Sequence, residues 1–292
     1  MSITDIILDF DGTCTQIPAI QEPFLAEYLV GLNNTVFAGN QVTKQEWVDA
    51  QQLVQEHSPQ AAWTFGVTPA APAAADPYIL AYESAMHLLR RKGIKMSIPG
   101  DVFSGAATLW PAPWRNEARN VLETLLQHNI TVTFISNSSS VTIQNRLKEL
   151  FIGNTSLAEK IFVRSDAEKY KIAELAWDTS IPPQTAKHFK VLSPVIHPDA
   201  GIHRPVYLRR GPYFEAICTA FSNHLNRLHT TVFCGDIWEM DLAMPYALGA
   251  NIHLVERAQP FETYAYELKA VLNDPKRGKI SEDLHGLLTW IS

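Results

Sequence analysis

The chain has 292 residues, of which 46% are apolar and 18% charged, so it can bury a sizeable core and is not a disordered chain. Its 24 Lys and Arg against 30 Asp and Glu give a net charge of -6, and no basic cluster predicts a nucleic-acid partner. Three scattered cysteines indicate neither a disulfide framework nor a zinc site. Since the sequence shows neither a signal-peptide pattern nor a run of about 18 apolar residues, we expect a soluble, cytoplasmic protein without a membrane partner.

Five short apolar runs predict strands, and helical patterns lie between most of them. The predicted strands are residues 3–10, 131–135, 161–163, 231–234 and 252–255, and the predicted helices of this part are 116–128, 141–151, 213–228 and 240–248. Alternation of strands and helices favours an α/β fold with a Rossmann-like parallel sheet and helices on both faces. In such open sheets, ligands bind at the carboxyl ends of the strands.

Roughly 100 residues separate the first predicted strand from the second, which is far more than one crossover needs. Helical patterns fill most of this segment, at residues 21–32, 43–56 and 77–92, with Thr43 as a candidate N-cap, whereas the Ala/Pro-rich stretch 68–77 resembles a loop. We therefore predict an α/β core of residues 1–18 and 110–292 and an inserted helical domain of residues 19–109. Residues 182–212, which are rich in proline, predict a surface hairpin on the core.

The first predicted strand ends in Asp9-Phe10-Asp11-Gly12-Thr13. Two carboxylates two residues apart point the same way while the strand continues, and burying both is costly unless a cation or a proton compensates them. Oxygen ligands suit a hard divalent cation, so the pattern predicts Mg²⁺. The competing interpretation is an ordinary Asp-Gly turn.

Two further predicted strands also end in polar residues. Asp236 follows the strand at 231–234, and Asp241 lies five residues later, where a helix dipole alone also explains an acidic residue. Ser136, Asn137 and Ser138 follow the strand at 131–135 and could form an anion cradle with free backbone N–H groups. For Ser138 we favour the role of a helix N-cap, whereas Ser136 lies too early to cap.

In this order, the three elements resemble the haloacid dehalogenase (HAD) superfamily of aspartate-nucleophile phosphohydrolases. The resemblance covers about residues 1–18 and 109–256, and its motifs are Asp9-x-Asp11-Gly12-Thr13, Ser136 after an apolar strand, and Gly235-Asp236-x4-Asp241 after another. It implies a HAD-like α/β core and makes residues 19–109 a mobile helical cap over the active site.

The resemblance also implies a role for each polar position. Asp9 would attack phosphorus to form an aspartyl-phosphate, and Asp11 would protonate the leaving oxygen and later accept a proton from water. Asp9, the backbone carbonyl of Asp11, and Asp236 would bind Mg²⁺, with Asp241 acting indirectly or through water. Ser136 would hydrogen-bond a phosphoryl oxygen. Further expected substrate contacts are Thr13, Asn137, Arg209 and Trp238.

One element departs from the family pattern. Family members carry a lysine some 20 to 30 residues before the last motif, and here Arg209 and Arg210 occupy that place. We expect Arg210 to supply the positive charge, although an arginine is not equivalent to a lysine. Lys169 and Lys171, further upstream, are the alternatives.

These residues together predict a Mg²⁺-dependent phosphatase acting on a small phosphorylated metabolite. Family members that displace halide lack the second aspartate, so Asp11 argues against dehalogenation. A phosphomutase with the same nucleophile is one alternative. A catalytically weak binding or regulatory protein on this scaffold is another, because a fold does not guarantee activity.

Overall fold

The computed structural model describes residues 2–66, 68–196 and 201–291. Its strands are β1 (Asp5–Leu8), β2 (Ala62–Phe65), β3 (Thr68–Pro72), β4 (Thr131–Ile135), β5 (Phe162–Arg164), β6 (Thr231–Gly235), β7 (Asn251–Val255) and β8 (Gly278–Ser281). Its α-helices are α1 (Gln21–Asn34), α2 (Lys44–His57), α3 (Pro77–Arg91), α4 (Gly100–Leu109), α5 (Ala118–Gln127), α6 (Ser140–Leu150), α7 (Pro183–Lys190), α8 (Gly211–Ala220), α9 (Ala243–Ala247) and α10 (Ala265–Leu272).

Six strands form one parallel sheet in the order β5-β4-β1-β6-β7-β8, which confirms the predicted α/β class. The middle strand, β1, is paired on both sides, and Leu8 lies level with Phe134 of β4 and Cys234 of β6. The three central strands therefore end at one level of the carboxyl edge. Residues that follow them are brought together by register alone.

Both faces of the sheet are covered by helices. Alternate residues of β1 point to opposite faces. Ile7 packs in the same apolar cluster as Phe214 of α8, whereas Ile6 packs in a second cluster with Val121 and Leu125 of α5. This two-sided burial explains why β1 is apolar at consecutive positions instead of alternating with polar ones.

The segment between β1 and β4 has an apolar core of its own. Side chains from its first four helices, α1 to α4, meet there, among them Phe24, Trp47, Leu88 and Val102. As predicted, Thr43 is the N-cap of α2, and Glu46 completes a capping box. This core is separate from the two clusters that flank the sheet.

The Ala/Pro-rich stretch, predicted to be a loop, instead contains a strand. β3 pairs antiparallel with β2 to form a two-stranded hairpin. Both strands of such a hairpin are edges, so Pro69 and Pro72 can occupy positions whose missing N–H groups would disrupt the middle of a sheet.

Two other elements differ from their predicted lengths. The helix expected over residues 213–228 ends at Ala220, because Ser222 and Asn223 adopt left-handed φ angles of 49° and 65°. The proline-rich segment begins with α7 and, within the part of it that the structure describes, contributes one antiparallel bridge, between Val195 and Val206. Among the described residues, no helix combines the length and the apolar character that a bilayer crossing requires.

Candidate active site

The carboxyl edge gathers the acidic residues that the sequence motifs indicate. Asp9 follows β1, Asp236 follows β6, and Asp241 lies in the π-helical turn Trp238–Leu242. Carboxylate oxygens of these three aspartates all lie within 4.8 Å of one another. The Thr13 hydroxyl joins two of them, because its Oγ1 is 3.2 Å from Asp9 Oδ2 and 3.0 Å from Asp236 Oδ1.

Two glycines allow this close approach. Gly12 has a φ of +82°, and a Cβ there would lie 2.5 Å from Asp236 Oδ2. At Gly235, a Cβ would lie 2.2 Å from the Cβ of Asp241. Any larger residue at either position would push an aspartate out of the cluster.

The cation of the cluster is Lys169. Its Nζ lies 2.5 Å from Asp9 Oδ1 and 2.6 Å from Asp241 Oδ1, and its side chain is only 1% exposed. Although burial opposes the charged form, the carboxylates of Asp241 and Asp9 raise the pKa of Lys169 above its ordinary value. Lys169 is therefore a charged ammonium shared by two carboxylates.

The expectation that Arg210 or Arg209 supplies this charge is wrong. Arg210 is fully buried but donates to two backbone carbonyls, those of Lys169 and Ala70, instead of to the aspartates. Arg209 lies at the surface, where it pairs with Glu174 and donates to backbone carbonyls. The remaining alternative, Lys171, pairs with Glu168 outside the cluster.

Burial and the neighbouring carboxylates raise the pKa values of Asp9 and Asp236. Burial raises the pKa of Asp9 to about 7, even though Lys169 lowers it, and Asp241 raises it further. Burial, together with the charges of Asp241 and Asp9, holds the pKa of Asp236 well above its usual range. Buried carboxylates that raise one another's pKa favour the binding of a cation.

Asp11 is held by a serine that we expected only to cap a helix. Ser138 Oγ donates to Asp11 Oδ2 at 2.5 Å, and the N-cap of α6 is the next residue, Ser139. Burial raises the pKa of Asp11, whereas the hydrogen bond from Ser138 lowers it. Ser136 is buried beside them, and its Oγ accepts from the backbone N–H of Ser138 at 3.1 Å.

Two expected substrate contacts have other partners. The Asn137 side chain accepts a hydrogen bond from the backbone N–H of Lys169 at 2.8 Å, so it fixes the lysine segment. Trp238 is buried in the core cluster, with its ring 6.0 Å from that of Tyr246, and does not line the cleft described next. Its ring packs in the apolar core, although Trp238 lies in the same turn as Asp241.

A cleft of about 150 Å³ opens beside the cluster, and Gly12 and Asp236 are among the residues that line it. The inserted segment contributes Asp76 to its wall, and the core contributes Arg115 and Arg257. Burial raises the pKa of Asp76 to about 6. The sequence motifs do not include either arginine.

Arg257 supports the backbone at Asp236. It is buried, forms an ion pair with Glu267, and donates to the backbone carbonyl of Asp236. It lies just after β7, so the carboxyl-edge rule that located the aspartates also indicates this residue.

The donors of the cluster suit a hard divalent cation. Its three side-chain ligands are carboxylate oxygens, which suit Mg²⁺. Lys169 occupies one oxygen of Asp9 and one of Asp241, while the backbone N–H of Ile237 binds the other oxygen of Asp241 at 3.0 Å. Asp9 Oδ2 and Asp236 are thus the better direct ligands, and Asp241 is better placed to hold Lys169.

No protein-family model matches the sequence, and no curated protein matches it. Among solved structures, a predicted phosphoglycolate phosphatase from Haemophilus somnus 129pt aligns over 100% of this chain and 99% of its own, with 10% identity and a TM-score of 0.50. A haloacid dehalogenase-like family hydrolase from Xanthomonas campestris aligns over 98% and 93%, with 12% identity and a TM-score of 0.44. A Bacillus subtilis protein of the HAD-hydrolase type, bound to magnesium, aligns over 100% of both chains, with 11% identity and a TM-score of 0.47.

Likeness at such low identity concerns the fold and not the activity. The first of these overlaps extends over essentially the whole of both chains, so it includes the inserted segment as well as the sheet. The parallel sheet and this full-length overlap show that the chain has the fold of the haloacid dehalogenase-like hydrolases.

Proposed function

We propose that this protein is a Mg²⁺-dependent phosphohydrolase that cleaves a small phosphate monoester through an aspartyl-phosphate on Asp9. The observation that carries the proposal is the arrangement of Asp9 between the Lys169 ammonium and the Thr13 hydroxyl, beside Asp236. Asp11 favours a phosphate monoester over an alkyl halide as the substrate. Loss of an alkoxide needs a proton donor, whereas loss of a halide does not.

In the first step, a carboxylate oxygen of Asp9 forms a bond to phosphorus while the bond from phosphorus to the ester oxygen breaks. Asp11, in its protonated form, gives its proton to the departing oxygen, so the product leaves as an alcohol. Burial raises the pKa of Asp11, which favours the protonated form that this step requires.

In the second step, water attacks phosphorus and the bond to Asp9 breaks, releasing inorganic phosphate. Asp11, now ionised, accepts the proton of the attacking water and returns to its starting form. Ser138 holds one oxygen of Asp11, which leaves the other free to carry this proton. Lys169 keeps Asp9 oriented through both steps, since Asp241 fixes the ammonium from the other side.

Mg²⁺ bound by Asp9, Asp236 and the backbone carbonyl of Asp11 would offset negative charge on the phosphoryl oxygens. We propose that residues 19–109 form the cap that selects the substrate, because Asp76 of this segment lines the same cleft as Gly12 and Asp236. We also propose a cytoplasmic location, supported by three cysteines that are buried and free.

Hydrolysis of p-nitrophenyl phosphate by the purified protein tests the proposal. We expect turnover that requires Mg²⁺ and that Asp9→Asn abolishes. Asp49→Asn, the same substitution at an exposed position of α2, is the matched control and should retain wild-type turnover. Absence of turnover in wild type with Mg²⁺, or equal turnover in Asp9→Asn, would overturn the proposal.

A panel of phosphorylated metabolites then identifies the reaction type. Release of inorganic phosphate from one small monoester supports a phosphatase. Transfer of the phosphoryl group to a second position of a sugar phosphate, without phosphate release, would instead identify a phosphomutase. Binding of a metabolite without any turnover would identify a binding protein on this scaffold.

A further inference from the structure

Both backbone polar groups of Lys169 are held by side chains. Asn137 Oδ1 accepts from its N–H at 2.8 Å, and Arg210 Nη1 donates to its carbonyl at 2.5 Å. The residues just before it include Asp166 and Glu168, with left-handed φ angles of 52° and 43°. Such angles are uncommon for non-glycine residues, and the two side-chain contacts to Lys169 are among the interactions that hold this loop.

Arg210 is an unusual partner for a loop. It is 0% exposed, and within residues 2–66, 68–196 and 201–291 no carboxylate lies at ion-pair distance from it. Burial lowers its pKa to about 10, although Glu239 and Asp241 oppose the shift, so the guanidinium is still charged at neutral pH. A buried charge without an ion pair is costly, and the two carbonyls that it binds are therefore important contacts.

The second carbonyl belongs to the inserted segment. Arg210 Nη2 donates to the backbone oxygen of Ala70 in β3 at 2.7 Å. Trp63 pairs with Ala71 and Thr64 pairs with Pro69, so Ala70 is the extra residue of a β-bulge and has no cross-strand partner. A bulge turns backbone groups away from the ladder. Here it leaves the carbonyl of Ala70 available to Arg210.

The same hairpin also contacts the loop around Lys169 (residues 166–172, the lysine loop) directly. The ring of Trp63, on β2, lies 5.2 Å from that of Tyr170, the residue after Lys169. Elsewhere, Ala71 packs in one apolar cluster with Ile237 and Met240 of the core. The hairpin is therefore docked against the segments that carry Lys169 and Asp241.

We propose that Arg210 is a positioning residue that couples docking of the β2–β3 hairpin to the placement of the Lys169 ammonium beside Asp9. With the hairpin docked, the guanidinium bridges the two carbonyls and holds the lysine loop at the aspartates. When the hairpin departs, Arg210 loses one carbonyl and the loop loses a fixed clamp. Linkage makes the coupling reciprocal, so an anion bound beside Lys169 should stabilise the docked hairpin.

Hydrogen exchange without any ligand tests the coupling independently of the proposed function. In Arg210→Met, amides of both the hairpin (62–66 and 68–72) and the lysine loop (166–172) should exchange faster than in wild type. Arg209→Met is the matched control at the next position, since Arg209 contacts neither segment, and both sets of amides should keep wild-type rates. Faster exchange in only one of the two segments would overturn the coupling.

The catalytic consequence rests on the proposed function and uses orthovanadate and p-nitrophenyl phosphate as probes. Orthovanadate should slow exchange of the hairpin in wild type, and this added protection should fall about 5- to 150-fold in Arg210→Met, the usual range for coupled sites. In the same variant kcat should fall at least about tenfold with KM little changed, because positioning of a group acts mainly on the transition state. Arg210→Lys keeps the charge but reaches fewer acceptors, so it should show intermediate values and also serves if Arg210→Met fails to fold.

The possible failures are distinguishable. If wild type neither binds orthovanadate nor turns over substrate, the proposed function fails, and the ligand-free exchange still decides the coupling. If wild type is active and folded Arg210→Met retains its kcat and the full orthovanadate protection, Arg210 only stabilises the fold and the inference is overturned.

Discussion

Replacing Lys169 by methionine should destabilise the protein strongly, because this single ammonium forms ion pairs with two buried carboxylates. The side chains of Lys169, Asp9 and Asp241 are 1%, 9% and 4% exposed. Water therefore cannot solvate the charges that remain when the ammonium is removed. Breaking a buried ion pair by removing one partner costs about 3–5 kcal/mol. We therefore expect the free energy of unfolding to fall by about that amount at pH 8, which is a large fraction of the roughly 5–15 kcal/mol of a typical domain.

Urea unfolding followed by circular dichroism measures this loss. The matched control is Lys171→Met, which removes a partly exposed pair with Glu168 and should cost at most about 1 kcal/mol. Adding Asp241→Asn to Lys169→Met removes one of the two stranded charges and should recover part of the loss. If Lys169→Met costs no more than Lys171→Met, the cluster is not held by this charge and the argument from burial is wrong.

Three further outcomes are expected. Burial lowers the pKa of His253 to about 4 from 6.5, so the unfolded chain binds the extra proton between these values, and this histidine alone should cost about 2 kcal/mol of stability at pH 5. Urea unfolding should show this cost as a difference in pH dependence between wild type and His253→Gln, because the raised pKa values of Asp9 and Asp76 act in the opposite direction in both proteins. Ser138→Ala should reduce kcat about tenfold for alkyl phosphates but less for p-nitrophenyl phosphate, whose leaving group needs little protonation, while Ser138→Thr retains the hydroxyl. Bound Mg²⁺ should raise the melting temperature of wild type. Gly12→Ala should abolish this rise, since its Cβ would collide with Asp236, whereas Gly39→Ala, which lies in open space, should preserve it.

The acidic part of the site was predictable because it depends on local sequence and on register. Apolar runs located β1, β4 and β6, and the central strands of a parallel sheet end at one edge. Asp9, Ser136 and Asp236 each follow one of these strands directly. Their convergence therefore needed no knowledge of any loop.

The lysine was misassigned because its position was judged by spacing along the chain. Lys169 follows β5, an edge strand of the same sheet, so the carboxyl-edge rule applied to the aspartates would have selected it. The proline-rich segment with α7 lies between Lys169 and α8 and lengthens the distance to Asp236. Arg210 occupied the expected spacing, but its buried guanidinium is directed at carbonyls.

The composition of the hairpin misled the prediction for a related physical reason. The alanines at positions 70, 71, 73, 74 and 75, which suggested a loop, are each at most 5% exposed. Short side chains let a backbone approach a neighbouring surface closely, and only a close backbone brings the carbonyl of Ala70 within 2.7 Å of Arg210. Ala70 and Lys169 are 99 residues apart in sequence, so no local pattern could show that one guanidinium binds both. The Ala/Pro stretch is thus an interface sequence, and the inserted segment contributes to the site through its backbone as well as through Asp76.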